Sequence, residues 1–212
     1  MRPIIFVRIA DMKYYNGITE DDKPVNGGAY VNETGFAHEC YNFSTVIEDN
    51  QDYEKCLGYF RSNGSKTGQL HIEKMPGCGG LTKEEVCEGV TVVFVSKAFG
   101  SKTMRVVGFY KNAIAYRTPH LMDFPNGYVQ EYSFEAKKED CVLLPFQTRF
   151  KGNTWYVPNS SSKYATFGFG RSNVWYAGAK GASEKETAYI EKMIKAIDGY
   201  TGENWINKGG EM

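Results

Sequence analysis

The run Val90-Thr91-Val92-Val93-Phe94-Val95 constrains this chain more than any other segment. It is short, unbroken and dense in β-branched residues, which reads as a strand. After the turn-rich stretch from Ser96 to Thr103, a second and longer strand is predicted over Arg105 to Arg117, and the pair carries the strongest strand signal in the sequence. Further strands are expected at Ile4 to Ile9, Tyr132 to Ala136, Val142 to Leu144 and Asn173 to Ala177. Cys56 to Arg61 and Gln69 to Glu73, placed around Asn63-Gly64, suggest a hairpin with a longer loop. Tyr, Phe and Gly are abundant, which suits strands and tight turns.

Two helices are predicted. Thr82-Lys83-Glu84-Glu85 has capping-box spacing and should open a short helix to about Glu88, ended by Gly89. Ser183 to Glu186 repeats the pattern, and Ile190, Met193, Ile194 and Ile197 then recur at helical steps up to Gly199. Residues 16–28 and 44–55 are rich in breakers or acidic and read as exposed loops. The tail after Tyr200 carries Trp205 and then a Lys208-Gly209-Gly210 end that is expected to fray. Strands first, few helices and no β-α alternation predict a curved sheet or small barrel with flanking helices, not a Rossmann-type sheet. With 212 residues, one domain over 1–178 and a packed helix and tail over 179–212 account for the chain.

Several function classes find no support. No window approaches the ~18 apolar residues of a membrane span, and the N-terminal apolar run is too short for a signal peptide, so a cytoplasmic protein is expected. The five cysteines form no C-x-x-C pair, and His38, His71 and His120 are scattered, so neither a disulfide framework nor a zinc site is indicated. Both the P-loop pattern and the G-x-G-x-x-G pattern after a strand are missing, as are G-x-S-x-G and H-E-x-x-H. Formal charge is zero overall. Residues 91–180 nevertheless hold 12 Lys+Arg against 5 Asp+Glu, and the remainder 13 against 20. A basic middle section is compatible with a phosphate-bearing partner and equally with solvated surface lysines.

Chemistry is suggested mainly by aromatic residues set beside amides. Met12-Lys13-Tyr14-Tyr15, Tyr41-Asn42-Phe43, Gly108-Phe109-Tyr110-Lys111-Asn112 and Arg171-Ser172-Asn173-Val174-Trp175 each place rings next to an Asn or Lys. A flat base needs rings to stack on its faces and amides to read its edge. Half-buried strands with a satisfied Asn at a bend give the same pattern. His38-Glu39 is the one pair suited to acid–base work. Adjacent strand residues face opposite ways, which favours a structural Glu39 that anchors a backbone or an arginine.

At these residues the sequence resembles the PUA-like superfamily, in its EVE and YTH branch. Glu88 to Val95 followed by Arg105-Val106-Val107-Gly108-Phe109-Tyr110 is similar to the paired central strands of those domains, with a Val-Gly step leading to pocket-side aromatics. The run from Gly168 to Tyr176 resembles a closing segment of bacterial relatives. Asp11-Met12-Lys13-Tyr14 stands where EVE domains carry a tryptophan. The resemblance implies an α+β fold: a small twisted PUA-like β-barrel with flanking helices and a C-terminal amphipathic helix. It implies a non-catalytic reader of a modified nucleobase flipped into an aromatic cage, in DNA restriction and defence or in RNA regulation. Under that reading Tyr14, Tyr15, Phe43, Phe109, Tyr110 and Trp175 surround the base. Asn42, Asn112 and Asn173 read its edge, and Lys111, Arg117, Arg149 and Arg171 meet phosphates. The expected partner is modified DNA or RNA, with no membrane, metal or cofactor, and with an effector nuclease in trans or in a longer chain as a candidate companion. Two alternatives remain open: a small ASCH-like hydrolase of a modified nucleobase or nucleoside, using Glu39, His38 or Lys111, and a protein-interaction module.

Overall fold

One 20-residue strand organises the sheet. In a computed structural model describing residues 2–48, 51–62, 68–98, 100–101, 103–123, 127–160 and 166–208, strand β5 (Met104–Asp123) pairs along nearly its whole length. On one side it meets β4 (Val86–Lys97). On the other its first half meets β7 (Cys141–Leu143) and β8 (Tyr156–Val157), and its second half meets β6 (Val129–Lys137). Beyond β4 lie β1 (Ile4–Arg8) and β9 (Val174–Trp175), and beyond β6 lie β3 (Lys55–Gly58) and β2 (Thr45–Val46). The strand path runs β2-β3-β6-β5-β4-β1-β9 and is open rather than closed into a ring. The fold is mixed α/β and mostly sheet, with helices α1 (Ala29–Thr34), α2 (Phe146–Phe150) and α3 (Glu184–Asp198).

The apolar runs in β1 and β4 follow from burial on both faces. Ile5, Val7, Val92 and Phe94 point into one core, and Ile4, Phe6, Val93 and Val95 into a second. The two strands run parallel, Ile4 opposite Thr91 through Arg8 opposite Val95, so the chain between them must cross over. The chain between them supplies that crossover, and from it Met12, Tyr15, Cys40, Phe43, Ile72 and Met75 pack into the first core. The second face is covered by α3 through Ile190, Met193 and Ile197, as its periodicity predicts. Ser183 caps α3 by accepting the Glu186 N–H at 3.2 Å. The Glu186 carboxylate instead accepts from Trp175 Nε1 and Gly178 N, and thereby ties the helix to β9.

Three expectations are corrected. The capping box at Thr82 opens no helix: Val86 and Cys87 extend β4 against Tyr116 and Ala115. A helix this short gains too few hydrogen bonds to offset its nucleation, whereas the ladder is already in place. Gly89 (φ 70°) marks a bulge there, and Asn112 (φ 48°) marks another on β5, because both residue types tolerate the left-handed region. Residues 69–73 form no strand, and Ile72–Lys74 is a 3-10 turn. β3 pairs with β2 and β6, so the hairpin is not formed. Of the end expected to fray, Gly209 and Gly210 lie outside the described residues; up to 208 the tail is held on the domain, where Asn204 bonds both Leu143 N and Cys141 O, and Asn207 bonds Thr45. Among the described residues no helix is long and apolar enough to cross a membrane.

Candidate functional site

The crossover from β1 builds a cleft at the sheet end where β1 exits. Its floor begins with Arg8-Ile9-Ala10, held beside β4 and the approach to β9 by Ile9 N–H to Val95 O (2.9 Å) and Arg8 N–H to Asn173 O (2.7 Å). Asp11 then pairs with Val25, and the Asp22 carboxylate accepts the N–H groups of Lys13 and Tyr14, which folds the loop back on itself. That return places Gly27 against Ala10 and Val31. A Cβ on Gly27 would fall 2.3 Å from Val31 Cγ2, so only glycine fits.

The 3-10 turn His38–Tyr41 closes the opposite wall. Because the chain turns here, His38 and Glu39 line one cavity instead of facing apart as strand neighbours would. Glu39 is 7% exposed, and its Oε1 accepts the Ala10 N–H at 2.8 Å, the backbone anchor the sequence suggested. Burial pushes its carboxyl above the ordinary carboxylate range, against the opposing pull of that N–H and of His38 and Arg61.

Two adjoining cavities share Gly27, Glu39 and Arg61 on their walls. The larger, about 640 Å³, is also lined by Arg8, Asn26 and Asn173, and the smaller, about 270 Å³, by His38 and Tyr59. The His38 ring centroid lies 5.4 Å from that of Tyr59 and 5.2 Å from that of Phe36, and Phe36 in turn packs on Tyr128 at 5.6 Å. The Arg8 guanidinium lies over Phe169 at 4.9 Å and donates to Gly170 O, while its buried Nε has no hydrogen-bond partner among the described residues. Burial lowers its pKa from the usual arginine value. The result is a polar recess with a buried carboxylate at its base, two arginines at its rim and half-buried rings along one side. Among the described residues no group of three or more His, Cys, Asp or Glu is placed to hold a metal ion.

Of the residues expected to contact a base, Asn173 lines this cleft, with its amide donating to Arg61 O at 3.1 Å. The others require correction. Tyr15, Phe43, Phe109 and Tyr110 have no exposed surface and form the two cores. Gly108 gives close approach to the Phe43 ring, which a Cβ on this residue would meet at 2.4 Å, and not to a ligand. Trp175 packs on Phe6 at 4.6 Å beneath α3, and Tyr14 stacks on Trp205 at 5.4 Å. Asn42 is fully buried and bonds both backbone groups of Tyr59, so it positions that ring and reads nothing itself. Asn112 is exposed and donates to Asp140.

Among the expected phosphate ligands, Arg149 is 1% exposed and donates to the carbonyls of Leu144, Met12 and Lys13. A guanidinium so enclosed cannot meet a backbone phosphate. Arg117 pairs with Glu73 at 2.8 Å and bonds Glu84 O and Leu81 O, which makes it a staple between β5 and the crossover. Lys111 is half-buried and Arg171 exposed, and neither lines the cleft. Arg8, Arg61, Tyr59, Phe36 and Tyr128 were not singled out by sequence. One signal was present: Arg8 is the charged residue inside the apolar run from Ile4 to Ile9. No family model matches this chain, and no match was found among curated proteins or solved structures.

Proposed function

We propose that this protein is a binding module, PUA-like in character, that recognises a modified nucleobase of DNA or RNA in the cleft around Glu39. One observation carries the reading: a buried carboxylate lies at the junction of two cavities, beside the rings of His38 and Tyr59 and within reach of Arg8 and Arg61. A carboxylate accepts from the amino or imino groups of a base edge, rings stack on its faces, and arginines at the rim meet its acceptors or the flanking phosphates. The cavity volumes suit a flipped base with its sugar. The reader therefore uses Glu39, Asn173, His38 and Tyr59 in place of the aromatic set expected from sequence.

A screen of oligonucleotides carrying different modified bases tests this. Tyr59→Ala should weaken the preferred ligand by about 1–3 kcal/mol, roughly 5- to 150-fold, with little effect on the unmodified one. Equal binding of every base by the wild-type protein contradicts the proposal. The hydrolase alternative draws on one feature, the raised carboxyl pKa of Glu39 next to His38, which suits a general acid. Turnover of a modified nucleoside that is lost in Glu39→Gln favours that alternative.

A further inference from the structure

A separate cavity, of about 360 Å³, lies between β5, β8 and α3. We infer that it is a site for a phosphate-type oxyanion, centred on Arg105. Among the described residues the cavity wall carries Arg105 and Lys192 and no carboxylate, with Thr103, Asn153 and Thr154 adding neutral hydrogen-bonding groups. The guanidinium of Arg105 lies over the Tyr156 ring, 5.3 Å from its centroid, which fixes the group without using its N–H donors. Two of them, Nε and Nη1, are buried and have no hydrogen-bond partner among the described residues. Buried donors are normally satisfied, and an arginine with unspent hydrogen-bonding capacity on a cavity wall, beside a lysine, suits an anionic oxygen.

The placement is built into the fold. Arg105 sits opposite Ser96 on β4, and Val95 sits opposite Arg8 on β1. Two strand spacings thus separate Arg105 from Arg8 at one end of the sheet, roughly 10 Å. Lys192 stands one turn beyond Tyr189 on α3, and the Tyr189 hydroxyl bonds Tyr156 O at 2.9 Å, which holds the helix over the cavity mouth. This site needs no part of the cleft reading, since it concerns different residues and a simpler ligand. The oxyanion has two sources, the backbone of a bound nucleic acid or a free phosphorylated small molecule.

Calorimetric titration of the full chain with inorganic pyrophosphate at constant ionic strength tests the site without nucleic acid. The wild-type protein should bind, Arg105→Gln should lose roughly tenfold or more in affinity, and Lys192→Gln a smaller, measurable amount. Lys185→Gln, an equal charge loss on an exposed part of α3, should leave affinity unchanged. Lys192 is also exposed, so its variant reports on the site even where Arg105→Gln perturbs folding. Absence of pyrophosphate binding, or equal losses in Lys185→Gln and the site variants, overturns the inference. A parallel titration with a single-stranded oligonucleotide identifies the source. A salt slope about 0.7 smaller in Arg105→Gln assigns the site to backbone phosphate, and an unchanged slope with lost pyrophosphate binding assigns it to a free phosphorylated ligand.

Discussion

Arg149→Leu separates the structural account from the phosphate-binding role that the resemblance implied. Arg149 donates through Nε to Leu144 O at 3.0 Å, through Nη1 to Met12 O at 2.6 Å and through Nη2 to Lys13 O at 2.6 Å. Its guanidinium also packs on the rings of Tyr15 and Phe146. Hydrogen bonds from a charged group are worth about 1.5–3 kcal/mol each. Removing the buried cation recovers part of that sum through relieved desolvation, which leaves an expected loss of about 3–5 kcal/mol. In urea, with a slope of ~2–3 kcal/mol per M, the midpoint should fall by roughly 1–2 M. Arg149→Lys should not restore it, because its single nitrogen cannot reach carbonyls set around the three separate nitrogens of the guanidinium fork. A loss below about 1 kcal/mol would refute the reasoning. So would unchanged stability with weakened oligonucleotide binding.

Three further outcomes are expected. Gly108→Ala should destabilise by about 1–3 kcal/mol in thermal melts, since its Cβ would meet the Phe43 ring and Val142 O at 2.4–2.5 Å; an unchanged melting temperature contradicts this packing. Glu39 has a carboxyl raised by burial, so its favourable contribution is full below its ordinary value of 4.5 and is lost as pH rises through the raised value. Glu39→Gln should therefore gain on the wild type in stability between pH 4.5 and 7, and a difference independent of pH contradicts the burial. All five cysteines are buried, and burial together with Cys78 pushes the Cys87 thiol up to about 12. A thiol reagent at pH 8 should react slowly with the folded protein and quickly with the urea-unfolded chain, and one rapid native thiol would oppose this.

The sequence made the centre of the fold legible because β1, β4, β5 and α3 each carry a single strong periodicity. Val90 to Val95 has no polar alternation to mislead, and Ile190, Met193 and Ile197 mark one helix face. The crossover was less legible. Its shape depends on buried carboxylates that bond backbone N–H groups outside any regular pattern, Asp22 to Lys13 and Tyr14 within one loop and Glu39 to Ala10, 29 residues away. The candidate site lies almost wholly in that crossover. Rings and amides in the strands were conspicuous for the same reason that they are core: a pleated, buried surface selects Phe and Tyr. Asn42 shows the difficulty, since an Asn between two aromatics serves the backbone of Tyr59 instead of a ligand. As strand neighbours His38 and Glu39 would face apart, and a 3-10 turn brings both to one cavity.

Competition binding tests the central claim most directly: oligonucleotides identical except for one modified base are set against their plain counterpart, with the wild-type protein and with Glu39→Gln. The account predicts that one modification outcompetes the plain base and that Glu39→Gln removes the preference while the protein remains folded. Equal competition by every base, or a preference unaffected in Glu39→Gln, would contradict it.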